Sequence, residues 1–282
     1  MPLYGKTRSL SNLLRRVIPV TLFFLLGVTP FLRAQKHEDF DQYRLRLNGQ
    51  WFYSTPSGSI QGHGDTVPVD FQKDLGFNSY STFATGLDWK FTRKNHFLLG
   101  FSRFNSSNQK VLERTITFQG QTFEAGLQTQ SQLDALFISP GYQYDIIRRK
   151  RGHLGIGIHF NMFDTTAKIS AQAQVTGDGT QYDAKSASGS LWAPIPVAGP
   201  QYRLYPIKSP RFFVEGDIYG MYFFGYGNYV QLEDSIGYSV GKHFSLKAGY
   251  GLATRLIVNA QTDRLGLHMT QKGATAGLEF SF

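Results

Sequence analysis

From Tyr43 onward, apolar and polar residues alternate with a period of two along most of the chain. This alternation is typical of β-strands with one apolar and one polar face, because successive side chains point to opposite sides of a strand. No window shows a convincing helical period of 3.6 residues. The pattern predicts ten strands, at residues 42–54, 80–92, 96–104, 133–147, 153–164, 191–205, 211–224, 229–240, 244–258 and 268–282.

The connections between these strands alternate between long loops and tight turns. Long polar segments follow the first, third and fifth strands, at about residues 55–78, 105–130 and 165–188, and a loop at 259–267 precedes the last strand. Tight turns lie at every even connection, and one odd connection, at residues 225–228, is also short. Tight turns at one rim and long loops at the other are typical of transmembrane barrels with an even number of strands, whereas a β-sandwich has no reason to sort its loops. We therefore predict an all-β fold, a single antiparallel up-and-down transmembrane β-barrel of ten strands, with eight or twelve as alternatives.

The first 34 residues have the character of a targeting segment. Residues 1–16 are basic, residues 17–28 are apolar, and Leu32-Arg33-Ala34 approximates a cleavage site. An apolar run of about 12 residues suits a signal peptide and is too short for a spanning helix, which needs about 20. We predict a signal peptide over 1–34 and a barrel domain over 35–282 that begins with a short polar tail at 35–41. An uncleaved inner-membrane anchor is the alternative.

Composition narrows the range of chemistry. Charged residues make up 17% of the chain and aromatic residues 15%, and there are 0 cysteines, which excludes disulfides and thiolate metal sites. The net charge of +9 falls to +4 without the five basic residues of the targeting segment. No basic patch is interleaved with stacking aromatic residues, so no nucleic-acid partner is expected. The histidines are scattered and no acidic loop has calcium-ligand spacing, so no metal or cofactor is expected.

If the aromatic-rich strand faces contact lipid, a balanced set of charged and polar residues faces the lumen. A ten-stranded barrel is narrow, so opposite charges inside it are expected to pair, because an unpaired buried charge is costly. The network then either fills the lumen in a structural role or lines a constricted path for a small polar solute. The predicted network is Arg44, Arg46, Asp88, Lys90, Asp145, His159, Arg203, Glu215, Asp217, Glu233, Lys247, Arg255 and Glu279.

The C-terminal strand ends with alternating apolar residues, Leu278, Phe280 and Phe282. A strand that ends on an aromatic residue resembles the β-signal of bacterial outer-membrane proteins, which implies recognition by the barrel-insertion machinery. The segments at 70–77, 87–91, 93–96, 118–123 and 142–144 also resemble a group of uncharacterised outer-membrane β-barrel proteins. This resemblance covers about half the chain and implies the fold, contact with outer-membrane lipid and an outer-membrane location, but no activity.

Two other classes of function remain open at this point. An outer-membrane hydrolase would need a site at the loop rim, where His63 and Asp65 could act as base and orienting acid for Ser57 or Ser59. The solvated glycine-rich loop around them is the simpler explanation. An adhesin or receptor would use the long loops, because loops on rigid scaffolds often carry function. We expect a non-enzymatic barrel with a structural or narrow small-solute pore role.

Overall fold

The computed structural model describes residues 39–175, 181–207, 209–259 and 265–282, and in them ten long antiparallel strands close into one barrel. Each barrel strand pairs with its neighbour in the sequence, and the last strand pairs with the first. The predicted ten-stranded up-and-down barrel is confirmed. Its strands are β1 (Leu45–Gln61), β2 (Tyr80–Lys90), β3 (Asn95–Val111), β4 (Gln128–Arg149), β5 (Gly152–Ala171), β6 (Lys185–Leu204), β7 (Phe212–Phe223), β8 (Gly227–Ser239), β9 (Phe244–Val258) and β10 (Gly266–Ser281).

The predicted alternation of connections is present, with tight turns at one rim and longer loops at the other, except that a short turn at 224–226 joins β7 to β8 at the loop rim. The predicted signal peptide lies outside the described residues. Within the described ranges, no helix has the length and apolar character that a membrane crossing requires. Three short pairings occur outside the barrel strands: Val69–Asp70 beside β1, a hairpin of Ile116–Phe118 and Gln121–Phe123, and Gln174–Val175 beside Gln181–Tyr182.

The outer surface of the barrel is an apolar belt. Along β5, the four outward side chains Leu154, Ile156, Ile158 and Phe160 are exposed, whereas the residues between them face inward. Aromatic side chains extend the belt toward both rims, including Trp51, Phe83, Trp89, Phe97, Tyr142, Trp192 and Phe280. Exposed apolar surface on this scale suits a lipid environment, and closure of the sheet pairs each barrel strand with both neighbours, although β6 and β7 pair only over part of their length.

Strand β6 forms despite its three prolines. Its pairing with β5 is unbroken from Lys185 to Leu204, although it passes through Pro194, Pro196 and Pro200. The three prolines have the same strand parity, so their missing N–H groups all lie on one side of β6. That side faces β7, whose pairing with β6 is limited to residues 198–204 and is interrupted at Pro200. The prolines therefore remove backbone N–H donors only on the side of β6 where β7 offers few carbonyl acceptors.

The long loops enclose a second apolar core, which we call the cap. The first two loops were predicted to be polar segments, and this is wrong for their interior, because apolar residues spaced between polar ones turn inward together. The hairpin and the first loop pack over the loop end of the barrel and meet inward residues of the strands. The buried loop residues of the cap are Val69, Phe71, Leu75, Phe77, Leu112, Ile116, Phe118, Phe123 and Leu127.

Polar contacts fasten the cap to the barrel wall between β1 and β3, where β2 is too short to reach. Asn108 Nδ2 donates to the Leu75 carbonyl at 3.0 Å, and Gln72 Nε2 donates to the Pro56 carbonyl at 2.8 Å. Arg114 forms a bidentate ion pair with Asp74, with an Nε–Oδ1 distance of 2.8 Å. Burial raises the pKa of the Asp74 carboxyl, but hydrogen bonds from Arg114 and from the Asp70 backbone outweigh it, so this pKa lies below its ordinary value.

Lysine at the centre of the outer belt should destabilise the barrel. We expect Ile158→Lys to lower the free energy of unfolding in lipid vesicles by about 2–4 kcal/mol, because a charge there is held in hydrocarbon. Thr166→Lys is the matched control, since Thr166 lies on the same face of β5 but nearer the loop rim, and should cost only about 0–1 kcal/mol. Equal losses in a denaturant titration would contradict the membrane-facing belt.

Acid should loosen the cap. A carboxyl whose pKa is lower in the folded state stabilises the fold above its unfolded pKa of about 3.9, and this contribution is lost as the pH falls through the folded pKa. We therefore expect backbone amides of residues 69–79 to lose hydrogen-exchange protection, corrected for intrinsic rates, between about pH 5 and the folded pKa. Asp74→Asn should show reduced protection at neutral pH, whereas Asp183→Asn, on an exposed loop, should not. Protection that is unchanged in acid would contradict this role of Asp74.

Candidate functional site

The lumen at the tight-turn end is filled by a network of buried charges, which we call the plug. Its centre is Asp41, which lies in the segment before β1 and reaches into the barrel. Asp41 forms ion pairs with Arg46 and with Lys90 Nζ at 3.5 Å, and its carboxylate lies 3.1 Å from His153 Nδ1. The Asp41 carbonyl also accepts a hydrogen bond from Arg148 Nη2 at 2.9 Å. One acidic side chain thus links β1, β2 and β5 across the lumen.

A second centre of the plug joins β6, β7, β9 and β10. Arg203 on β6 binds both oxygens of Glu279 on β10, at 2.8 and 2.9 Å, and contacts Glu215 on β7 at 2.8 Å. Lys247 on β9 donates to Glu215 at 2.6 Å. The Arg203 guanidinium also lies 3.5 Å from the ring centroid of Phe213. These contacts tie four strands together, with the charges well compensated.

A histidine between two carboxylates forms the third part of the plug. His96 Nδ1 lies 2.9 Å from Asp88 Oδ1, and His96 Nε2 lies 3.2 Å from Asp145 Oδ2. Asp145 also accepts a hydrogen bond from Arg148 Nη1 at 2.8 Å. Asp88 accepts one from the Tyr43 hydroxyl at 2.5 Å. All of these side chains are buried or nearly so, which makes the plug a continuous polar barrier.

The structure brings most of the predicted lumen residues together, but in two groups. Eight of them belong to the plug or contact it directly: Arg46, Asp88, Lys90, Asp145, Arg203, Glu215, Lys247 and Glu279. Three others, His159, Asp217 and Glu233, line the lumen nearer its middle, away from the plug. The other two, Arg44 and Arg255, form no ion pair with any residue that the structure describes, and Arg255 is exposed.

Arg255 lies on the outer face of β9. The pairing of β9 with β10 contains a bulge between Gly251 and Thr254, which reverses the alternation beyond it. As a result, Leu256 is buried inside, whereas Arg255 is exposed next to the outward-facing Val230. A uniform period of two through the whole strand could not anticipate this reversal.

Arg44 lies just before β1, where the strand alternation does not yet hold. Its neighbour Tyr43 turns inward instead, and the Tyr43 ring lies 3.6 Å from the Arg46 guanidinium and 3.5 Å from Lys90 Nζ. Arg44 is partly exposed and forms no ion pair with any described residue. A strict alternation from residue 42 would place Tyr43 on the same outer face as Trp51, but the Tyr43 side chain is buried.

Several plug residues were not predicted, chiefly because they lie outside the strand pattern. Asp39 and Asp41 belonged to the predicted polar tail, yet both are buried. His96 and His153 begin strands directly after basic turns, and Arg148 ends one. The basic residues of the tight turns could have indicated these acids, because clustered positive charges need acidic partners nearby in the folded structure.

Above the plug, the lumen widens into a cavity of about 420 Å³. Asp217 on β7 and Glu233 on β8 are direct partners across the strand pair, and both face this cavity. Gln231 Nε2 donates to Asp217 at 3.0 Å, and Gln50 Nε2 donates to Glu233 at 2.5 Å. Unlike the acids of the plug, neither carboxylate lies within 4 Å of a positive charge in the described parts of the chain.

The rim residues considered for hydrolysis are not assembled into a catalytic group. Asp65 accepts hydrogen bonds from the backbone N–H groups of Gly62, Gln119 and Gly120, so it joins the first loop to the cap hairpin. His63 is exposed and makes no contact with Asp65 that would orient it. Ser57 instead contacts the Thr270 carbonyl, at 3.4 Å. Among the described residues, no group of three or more potential ligands could hold a metal ion.

The three apolar residues of the C-terminal strand lie on the outer face. Leu278, Phe280 and Phe282 are about half exposed, and the alternate residue Glu279 enters the plug. Whether insertion machinery reads this outer face stays a prediction.

Comparison with known proteins supports the fold and does not identify a family. No protein-family model matches the chain, and no curated protein matches it. Among solved structures, the barrel is similar to the outer membrane protease OmpT from Escherichia coli, with a TM-score of 0.52 and 12% identity, over 84% of this chain and 97% of that one. Weaker similarities include Ail of Yersinia pestis (TM-score 0.35, 9% identity, 85% and 99% covered) and the translocator domain of NalP from Neisseria meningitidis (0.39, 11%, 96% and 98%). At these identities the likeness shows the barrel fold alone.

Proposed function

We propose that this chain is an integral outer-membrane barrel of the bacterial cell envelope, non-enzymatic and closed to solutes, with a structural role. The observation that carries this proposal is the double closure of the lumen. Buried ion pairs fill the tight-turn end, and the packed apolar cap covers the loop end. A hydrated ion crossing the barrel would have to break the first barrier and enter the second without its water, and both steps are costly.

The membrane location is supported by the outer belt and by the targeting features of the sequence. The belt exposes large apolar side chains around the barrel, and the closed sheet pairs neighbouring strands there, least completely between β6 and β7. Export through the signal peptide and insertion through the outward face of β10 complete the proposal. In this orientation, the plug faces the periplasm and the cap faces the outside of the cell.

The arrangement favours a closed barrel over the two alternatives. A narrow solute path would need a polar route past the plug, but Asp41, Arg203 and Glu279 are buried and in contact there. A hydrolase would need a free acid beside His63, but the oxygens of Asp65 are occupied by three backbone groups.

Planar-bilayer recordings test the closure. We expect no steady conductance from the wild-type protein or from either single-barrier variant, Asp39→Ala/Asp41→Ala in the plug and Phe71→Ala/Phe118→Ala in the cap. Only the combined variant should conduct, because the two barriers lie in series. Asp134→Ala is the control for lost charge, since its ion pair with Arg103 is exposed at the barrel surface.

Each variant must first show the heat-dependent shift in gel mobility that marks a folded barrel. Steady conductance of the folded wild-type protein would refute the closed barrel and favour a narrow pore. A folded combined variant that stays silent would show that the plug and the cap are not the barriers.

A further inference from the structure

The cavity between plug and cap has a polar lower wall and an apolar upper wall. The cavity is lined in part by small side chains, notably those of Ala84, Ser102 and Ser139, which leave the lumen incompletely filled. Toward the cap, the wall is aromatic and aliphatic, with Phe52, Phe104, Phe137, Phe163, Tyr229 and Leu256. A volume of about 420 Å³ lies within the range of small-molecule sites, roughly 300–1,000 Å³.

The polar wall carries two neighbouring carboxylates that no ion pair compensates in the described parts of the chain. Asp217 and Glu233 face the cavity side by side with no positive partner among the described residues, and one amide each contacts them. Two adjacent carboxylates in a low-dielectric interior repel each other unless a cation or a proton lies between them. The basic residues of the plug form ion pairs with acidic residues of the plug, so none of them compensates the charge of Asp217 and Glu233.

His159 adds a third acceptor on the same side of the cavity. Ser139 Oγ donates to Asn161 Oδ1 at 2.6 Å, so its contact of 3.2 Å with His159 Nδ1 requires the histidine to donate. That tautomer leaves a lone pair on His159 Nε2, which is buried and has no partner among the described groups. The His159 ring packs against Tyr219, at 4.6 Å between centroids, two residues along β7 from Asp217.

Unsatisfied hydroxyls mark the other end of the cavity. Tyr80 lines the cavity and is 8% exposed, and Ser54, its partner on β1, is fully buried. Apart from each other, neither hydroxyl has a hydrogen-bond partner in the described structure. Buried polar groups of this kind normally have partners, so His159 Nε2 and these two hydroxyls leave hydrogen-bonding capacity on both sides of the cavity.

We propose that this cavity binds an amphipathic amine, with its ammonium group between Asp217, Glu233 and His159 and its apolar body against the aromatic wall. Phe52 lies two residues along β1 from Gln50, the partner of Glu233, so the apolar wall begins roughly 7 Å from the carboxylates. The inference rests on the closed barrel proposed above, since a closed lumen retains such an occupant and excludes competing water.

Equilibrium dialysis of the refolded protein in detergent micelles tests the site, with 4-phenylbutylamine as the probe. We expect saturable binding at a stoichiometry near one. The neutral analogue 4-phenylbutanol and the anion 4-phenylbutyrate should bind at least about tenfold more weakly, because loss of one charge-assisted contact costs about that much. These analogues also correct for partition into the micelle.

Three variants separate the site from its surroundings. Asp217→Asn/Glu233→Gln should weaken amine binding at least about tenfold, and Ala84→Phe should abolish it by filling the space beside Gln50 without changing a charge. Asp234→Asn is the matched control: Asp234 follows Glu233 directly but bonds to Tyr202 on the outer wall, so binding should not change. If the double variant does not fold, Ala84→Phe still decides the question.

Absence of saturable binding to the folded wild-type protein would overturn the proposal and indicate that the two carboxylates simply share a proton. Equal binding of the amine and the alcohol, or undiminished binding by the folded double variant, would overturn it as well. Conductance recorded on the same preparation distinguishes the two failures: a silent barrel without binding refutes only the amine site, whereas a conducting barrel refutes the closure.

Discussion

The structure depends on the pairing of its first strand with its last. Backbone N–H and C=O groups cannot stay unpaired in hydrocarbon, so a sheet in a membrane must close on itself. Here β1 and β10 pair continuously from Arg46 and Ser281 to Gln61 and Gly266. This seam decides which face of every strand contacts lipid and which is enclosed. It also places Arg46 and Glu279 on neighbouring strands, where their side chains enter the plug.

A ten-stranded barrel is narrow, and its two ends are filled by different kinds of packing. At the tight-turn end, long charged side chains reach across the lumen, and arginine is suited to this because one guanidinium can bind two carboxylates at once, as Arg203 does. At the loop end, apolar residues from the strands and loops pack as in a soluble core. Between them, small residues leave the lumen incompletely filled, and the unpaired acids lie there.

Much of the barrel could be predicted from alternation, because one strand face contacts lipid and the other does not. Alternation placed Lys247 and Glu279 inside correctly. It failed where the backbone departs from regular strand geometry, at the bulge before Arg255 and at the start of β1 beside Arg44. It could not reveal Asp41, because a residue outside the strands has no parity, and its burial depends on partners from distant parts of the chain. The cap was missed for a similar reason, since its apolar residues follow no period.

The plug and the cap differ in the contacts that must break for each to open, and this difference bears on which end of the barrel gives access to the cavity. Removing one partner of a buried ion pair leaves an uncompensated charge and costs about 3–5 kcal/mol. The plug contains several such pairs, and their members lie on nearly every strand. The cap segment around Leu75 is held to the wall by apolar packing, by a few side-chain bonds to backbone carbonyls and by the pair of Arg114 with Asp74. If the lumen is closed as proposed, we expect the cavity to exchange with solvent through the loop end, because opening the cap separates fewer buried charges than opening the plug.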